Sequence, residues 1–264
     1  MGPLRRFAAL TSRIGGTYYD IARIYRDWWG AILLLGIVVF VPLGLIDAAA
    51  NQIDVESLDI DNGIEVFALI ATAGAVTTTG LLGEVFFAGA MSLSLTHPEG
   101  DRPPPLRHLA RKISYGRLIL LDIAYVIVVA IGVILLVVPG VAAFVFLGLS
   151  GPAVELEHRT VRGAFARSFR LVRADFWLVF WVLIPIEIAG DALGDYAEQL
   201  AHHLLGDSFF STWLSESVSN ILLSPVFAIA AVLLATRLIT AVDGSGPRIR
   251  SLRVGQGEEL GVPA

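Results

Sequence analysis

Cysteine is missing from this 264-residue sequence, lysine occurs once, and charged residues of all kinds make up only 16% of it. Without thiols there is no disulfide framework, no thiolate zinc site and no cysteine nucleophile. The shortage of charge excludes more. Soluble domains carry about 25% charged residues, and a chain with 55% hydrophobic residues and a mean hydropathy of +0.72 lacks the polar surface to cover itself in water. It reads as a membrane protein, not as a disordered chain or a large soluble catalytic domain. Nothing in it matches a Walker loop, an H-E-x-x-H helix or a G-x-S-x-G elbow.

A helix crossing the hydrocarbon core needs about 20 apolar residues. Long apolar runs cover Trp28 to Ile46, Val66 to Thr96 with Glu84 inside it, Ile123 to Val154, Phe176 to about Leu193, and Ser217 to Thr236. The third run is uncharged but holds the helix-breaking pair Pro139-Gly140, so it is one kinked span or two. Charge decides between them, because loops that stay in the cytoplasm collect Lys and Arg. Basic residues cluster before the first run, again at Arg102 to Arg117, again at Arg159 to Arg173, and after the last run. The loop Asp47 to Glu65 has six acids and no base, and the loop between the last two runs is basic-free as well. Two basic loops on one side require an even number of crossings between them, so the third run is a hairpin turning at Val138-Pro139-Gly140.

The expected fold class is therefore all-α, an integral membrane bundle of six transmembrane helices in three hairpins. The spans fall at about 28–47, 64–95, 117–138, 140–157, 176–193 and 217–237, within a transmembrane domain 28–240. Residues 1–27 form a cytoplasmic amphipathic segment and 241–264 a disordered cytoplasmic tail, with the first span serving as an uncleaved signal anchor. All 19 bases lie on the cytoplasmic side and 12 of the 24 acids on the other, which places the chain in the cell membrane with both termini inside. Each hairpin follows a basic stretch, and Arg26-Asp27-Trp28-Trp29 looks like Arg173-Ala174-Asp175-Phe176-Trp177. Either the unit is repeated three times, or every inward helix end simply starts with Arg and aromatic anchors.

The segment from Arg159 to Asp175 is strongly two-faced. At 100° per residue Arg159, Arg162, Arg170 and Arg173 lie within about 60° of one direction, with Arg167 flanking them, while Ala164, Ser168, Leu171 and Val172 lie opposite. Such a helix is expected to lie on the inner membrane face, its arginines among anionic headgroups or acting as ordinary anchors. Ser168, alone among apolar neighbours, is expected to permit close packing or to bond back to its own helix.

Pro152-Ala-Val-Glu-Leu-Glu157, then Ala164, then Ser168-Phe-Arg-Leu171 and Phe176-Trp177 resembles the P-x-x-x-x-E and S-x-x-L-x-x-x-x-[FW]-[FW] signature of six-helix bacterial and archaeal membrane proteins. These are related to the membrane domain of glycerophosphoryl diester phosphodiesterases, and the Pro139-Gly140 turn fits the same pattern. The chain keeps Arg237 at the end of its last span but lacks the family's Tyr four residues earlier. The resemblance implies a membrane scaffold, since in the phosphodiesterases the chemistry resides in a separate soluble barrel.

Charged groups inside a membrane cost about 2.5–3.5 kcal/mol near a helix centre and default to functional candidates. Glu84 shares a helical stripe with Ala73, Thr77, Gly80 and Ala88, so it is expected to face the bundle. Together with Asp122, Glu157, Arg167 and Arg237 it forms either an intramembrane polar cluster binding a cation or a set of structural ion pairs. On the outer side Asp195, Glu198 and His202 fall on one helix face with Asp191, a weak metal candidate beside the reading of a solvated acidic face. No cofactor and no nucleic-acid partner is expected. The composite expectation is a non-enzymatic scaffold or accessory protein touching anionic lipids or a protein partner, with a small transporter or channel using Glu84 and Asp122 as the alternative.

The charge pattern makes a direct prediction. Reporter fusions at Arg107 and Arg170 are expected to be active only for a cytoplasmic reporter, and fusions at Asp54 and Asp207 only for an external one. An external Arg107 would overturn the hairpin assignment.

Overall fold

The computed structural model describes residues 3–50, 81, 83–96, 106–206, 208–247 and 249, with no strand among them. Nine helices follow in order: α1 (Pro3–Ala50), α2 (Glu84–Leu95), α3 (Leu106–Lys112), α4 (Tyr115–Leu135), α5 (Val137–Leu147), α6 (Ser150–Glu157), α7 (Val161–Ala174), α8 (Phe176–Leu205) and α9 (Phe209–Asp243) among the described residues. Among the described residues five stretches are long and apolar enough to cross a membrane: Phe7–Leu45, Tyr115–Leu135, Val137–Glu157, Phe176–Leu205 and Phe209–Asp243. The described structure is all-helical, as the composition and hydropathy predict.

Helix α9 is the hub. Every residue from Phe227 to Thr236 is buried, and α1, α8 and α2 pack around it. A helix apolar on all sides must be surrounded by protein or lipid; here protein takes most of the surface. The outer helices turn large apolar side chains outward instead. Val38 and Trp29 on α1, Leu120, Ile127 and Leu135 on α4, and Ile188 and Leu193 on α8 are all exposed. In water so extensive an apolar surface would drive aggregation; in a bilayer it is the lipid-facing side.

Several expected boundaries move. The expected 1–27 segment, from Pro3 on, and the 28–47 span are one continuous helix, because no Pro interrupts them between Pro3 and Pro42 and the Gly15-Gly16 pair is tolerated on an open face. Span 64–95 is described only from residue 81 on; its helix starts at Glu84, after Gly83 in the left-handed conformation, and the stripe Ala73, Thr77 and Gly80 lies outside the described residues. The chain reverses at Leu136, where the backbone is extended, two residues before the expected Val138-Pro139-Gly140 turn. Proline tolerates the first turn of a helix, so Pro139 begins α5 instead of ending α4. The returning helix packs Gly140 against Gly132 and Val133. It breaks once more at Gly148-Leu149, so the 140–157 stretch is two helices. Helices α8 and α9 run well past the apolar spans 176–193 and 217–237, carrying polar turns at their ends. The expected tail 241–264 begins with three residues that are still helical, and Ile249 is buried.

Prolines inside three long helices leave backbone carbonyls short of a donor, and aromatic side chains of other helices approach each place. Pro185 removes the amide that would bond to the Trp181 carbonyl. The Tyr18 hydroxyl donates there, at 3.1 Å, and to the Val182 carbonyl at 3.2 Å. Tyr25 donates to the Leu222 carbonyl in the turn before Pro225, at 2.9 Å, and the Trp213 indole to the Val41 carbonyl beside Pro42, at 3.1 Å. These bonds tie α1 to α8 and to α9.

Helix α2 lies against α6 with almost no side chain between them. A Cβ on Gly151 would run into the Val85 carbonyl and the Gly89 amide, the close approach that small residues permit between membrane helices. Gly151→Ala is therefore expected to cost about 1–3 kcal/mol through overpacking, read as a lower unfolding temperature in detergent. Gly116→Ala, whose Cβ meets nothing within 4 Å, is expected to leave that temperature unchanged or raise it slightly.

Candidate functional site

The polar residues expected to form one cluster fall into three places. The first is the basic end of the bundle. Arg167 lies on the inner face of α7, only 3% exposed, and its guanidinium bonds to Glu157 at 2.7 and 3.0 Å and forms a close ion pair with Asp243. Burial works against its charge, but the bonds and charges of Glu157 and Asp243 outweigh that and hold its pKa above the ordinary arginine value. Arg159 joins the same carboxylate of Glu157 at 3.1 Å. The last turn of α6, the surface helix and the end of α9 are thereby locked together.

Arg237 does not enter that network. It bonds to Thr17 at 2.7 Å and pairs closely with Asp20, clamping α9 to α1, while Arg13 pairs with Asp175 at 2.6 Å across the α1 to α8 junction. Asp20, Thr17 and Asp243 were not expected from the sequence as partners. Each lies beyond a hydrophobic run, where a lone acid reads as solvated.

Helix α7 presents the two faces expected of it. Thr160 accepts a hydrogen bond from the Gly163 amide as its N-cap, and Ala164, Ser168, Leu171 and Val172 are buried while Arg159, Arg162, Arg170 and Arg173 are exposed. The apolar face meets protein, however, since α7 packs on α5, α6 and α9. Ser168 bonds neither within its own helix nor to nothing: its hydroxyl donates to the Phe146 carbonyl at 2.7 Å and accepts from the Leu149 amide at 3.2 Å. Those two groups flank the α5 to α6 break, so one serine satisfies backbone atoms that the break sets free. Of the other residues in the family-like pattern, Ala164 and Leu171 are wholly buried beside it, Glu157 holds Arg167, and Pro139 and Gly140 start the return helix.

Asp122 occupies the second place. Its carboxylate, on a residue 4% exposed, accepts from the Gly83 amide at 2.7 Å and from the Val85 and Phe86 amides at 3.1 Å each. These are the orphan donors at the start of α2. Gly83 supplies no side chain to cap them, because its φ of +93° is a conformation that excludes most other residues. A carboxylate from α4 does so instead, where the helix dipole favours negative charge. Glu155, which the sequence reading passed over, acts similarly by accepting from the Ser114 amide at 2.9 Å ahead of α4. A carboxylate two residues from the expected Glu157, inside an apolar stretch, was the available signal.

Glu84 stands apart in the third place. It is 6% exposed and its Oε2 has no hydrogen-bond partner among the described residues, as is true of the buried Tyr125 hydroxyl on α4. Asp195, Glu198 and His202 share the outer part of α8. Glu198 meets His202 at 3.4 Å, but Asp195 does not join them, and among the described residues no group of three or more side chains suits a metal ion.

Protein-family models, curated proteins and solved structures show no match to this chain. What remains to read is the surface. An open apolar groove of about 590 Å³ runs beside α1, lined by Tyr18, Ile21, Tyr25, Trp29 and Val226, with Arg26 also on its wall.

The geometry separates structural charges from accessible ones. Asp122→Ala, which strands three amides, is expected to lower stability by about 1–3 kcal/mol. Arg167→Leu, which takes from Glu157 its buried partner and from Asp243 its ion pair, is expected to cost about 3 kcal/mol. Arg170→Ala is expected to stay within about 0.5 kcal/mol of the parent. Thermal unfolding in one detergent orders the three, and equal values would contradict the assignment.

Proposed function

We propose that this chain is a multi-pass protein of the cell membrane, a non-catalytic scaffold or accessory subunit that holds anionic phospholipids at its basic end. In this reading the bundle crosses six times as three hairpins with both termini in the cytoplasm. The observation that carries it is the division of labour along α7. Arg167 is consumed by Glu157 and Asp243, whereas Arg162, Arg170 and Arg173 stand exposed in a row on the outer face of a helix whose inner face is held by the bundle. A rigidly mounted row of guanidiniums suits phosphate groups, each worth about 1 kcal/mol beside an anionic membrane surface. The apolar groove with Arg26 on its wall offers an acyl chain a place beside another basic side chain. Two further supports are the segregation of charge in the sequence and the resemblance of residues 152–177 to phosphodiesterase-related membrane domains.

The alternative, a small transporter, draws on Glu84. Asp122 gives it less support, since its oxygens are occupied by the amides that start α2.

The scaffold reading is tested by the lipids that accompany the protein through mild extraction. Replacing Arg162, Arg170 and Arg173 together by Gln is expected to reduce the ratio of anionic to zwitterionic lipid that co-purifies by about fivefold per residue at most, with the unfolding temperature little changed. An unaltered ratio would remove the lipid role of α7.

A further inference from the structure

We propose that Glu84, Tyr125 and Glu187 form an intramembrane site for one monovalent cation, either a proton or an alkali metal ion. The proposal rests on the membrane embedding argued above but not on the lipid role of α7.

The three residues come from three helices and reach the same depth. Glu84 is 11 residues before the end of α2, Glu187 11 residues after the start of α8 and Tyr125 10 residues after the start of α4. At 1.5 Å per residue each is about 15–17 Å from the basic end, close to the middle of a 30 Å hydrocarbon layer. Glu84 feels the charge of Glu187 most strongly of its acidic neighbours, with Asp122 of α4 and Asp191 of α8 also bearing on it, and Tyr125 lies in range of Glu84 and Glu187. Around them are the rings of Phe144, which packs on Tyr125, and of Phe227.

Two observations on different helices point to an occupant. Glu84 Oε2 and the Tyr125 hydroxyl are both fully buried and both lack a hydrogen-bond partner among the described residues. Buried polar atoms are normally satisfied, and an exception calls for an explanation. Asp122 needs none, since three amides offset it. Glu84 Oε2 has no such offset among the described residues, and Arg167 and Arg237 are engaged elsewhere, Arg167 with Glu157 and Asp243, Arg237 with Thr17 and Asp20. A buried carboxylate without a donor, with a second acid acting on its charge, calls for a counter-charge in an apolar setting. A hard cation suits them because every ligand atom on offer is oxygen: carboxylate from Glu84 and Glu187, phenol from Tyr125.

The experiment uses the full chain reconstituted in phosphatidylcholine vesicles, after an alkaline wash has shown that it stays in the membrane. Loss of the protein in that wash would count against the membrane reading; retention with no cation response would count against the site alone. For the metal-ion arm, unfolding temperature is measured in sodium, potassium and choline chloride at equal ionic strength. For the proton arm, the infrared band of protonated carboxyl groups is followed between acidic and alkaline buffer. The expected result is a response in one arm that Glu84→Gln and Glu187→Gln abolish and that Tyr125→Phe shifts by about tenfold in ion concentration. Tyr125→Phe keeps the ring and its packing, so it tests the site even if a glutamate variant does not fold. Glu198→Gln, on the outer part of α8, is expected to change nothing. No response in either arm, or one that survives all three site variants, would overturn the proposal.

Discussion

Inside an apolar medium a backbone amide or carbonyl that loses its helical partner has no water to turn to, and the cost is several kcal/mol for each group. This bundle is organised by that constraint. At four places among the described residues, a break in the helical hydrogen bonding is met by a side chain from a different helix. Asp122 of α4 covers the start of α2, Glu155 of α6 covers the approach to α4, Ser168 of α7 bridges the gap between α5 and α6, and Tyr18 of α1 serves the Trp181 carbonyl that Pro185 leaves without its amide in α8. Each repair is also a cross-link. Since oil-like side chains gain little by leaving lipid for one another, such bonds together with Gly-mediated close packing are what select one arrangement of helices over others.

The charged residues follow a second rule that depends on the first. Arginines at the basic end are of two kinds, and burial sorts them. Arg167 and Arg237 close ion pairs that join chain segments far apart in sequence, Glu157 and Asp243 in one case and Asp20 in the other. Removing one member leaves the other charge stranded, which is why such pairs cost much to break although they contribute little as wholes. Arg162, Arg170 and Arg173 carry no comparable structural duty. A surface helix fastened by its buried arginine can hold the exposed ones still, and that stillness separates a recognition surface from a merely sticky one.

The helical class and the apolar segments were legible in the sequence because hydropathy is a property of windows, insensitive to where any one side chain points. Even the hairpin in residues 123–154 could be inferred from charge parity, although its reversal falls at Leu136 because Pro139 starts a helix more readily than it ends one. Individual polar roles were not legible in the same way. Ser168 looks from its own helix like a packing residue, and its two backbone partners, 22 and 19 residues away, become neighbours only after α5 has broken at Gly148. Asp122 and Glu84 look interchangeable as acids within apolar runs. The difference between them is three amides 36 to 39 residues back in the chain, whose availability depends on the left-handed Gly83.

That contrast carries the functional argument further than the carboxylates themselves do. A buried acid is uninformative about function when the fold explains it, and Asp122 is explained in full by the helix it caps. Gly83 brings Glu84 to the first position of α2, one residue from the amides that Asp122 collects, yet nothing among the described residues takes up its Oε2. Against side chains that meet the broken backbone from other helices, Glu84 Oε2 is the one carboxylate oxygen among the described residues that is buried without a partner, and the proposed cation site rests on that contrast.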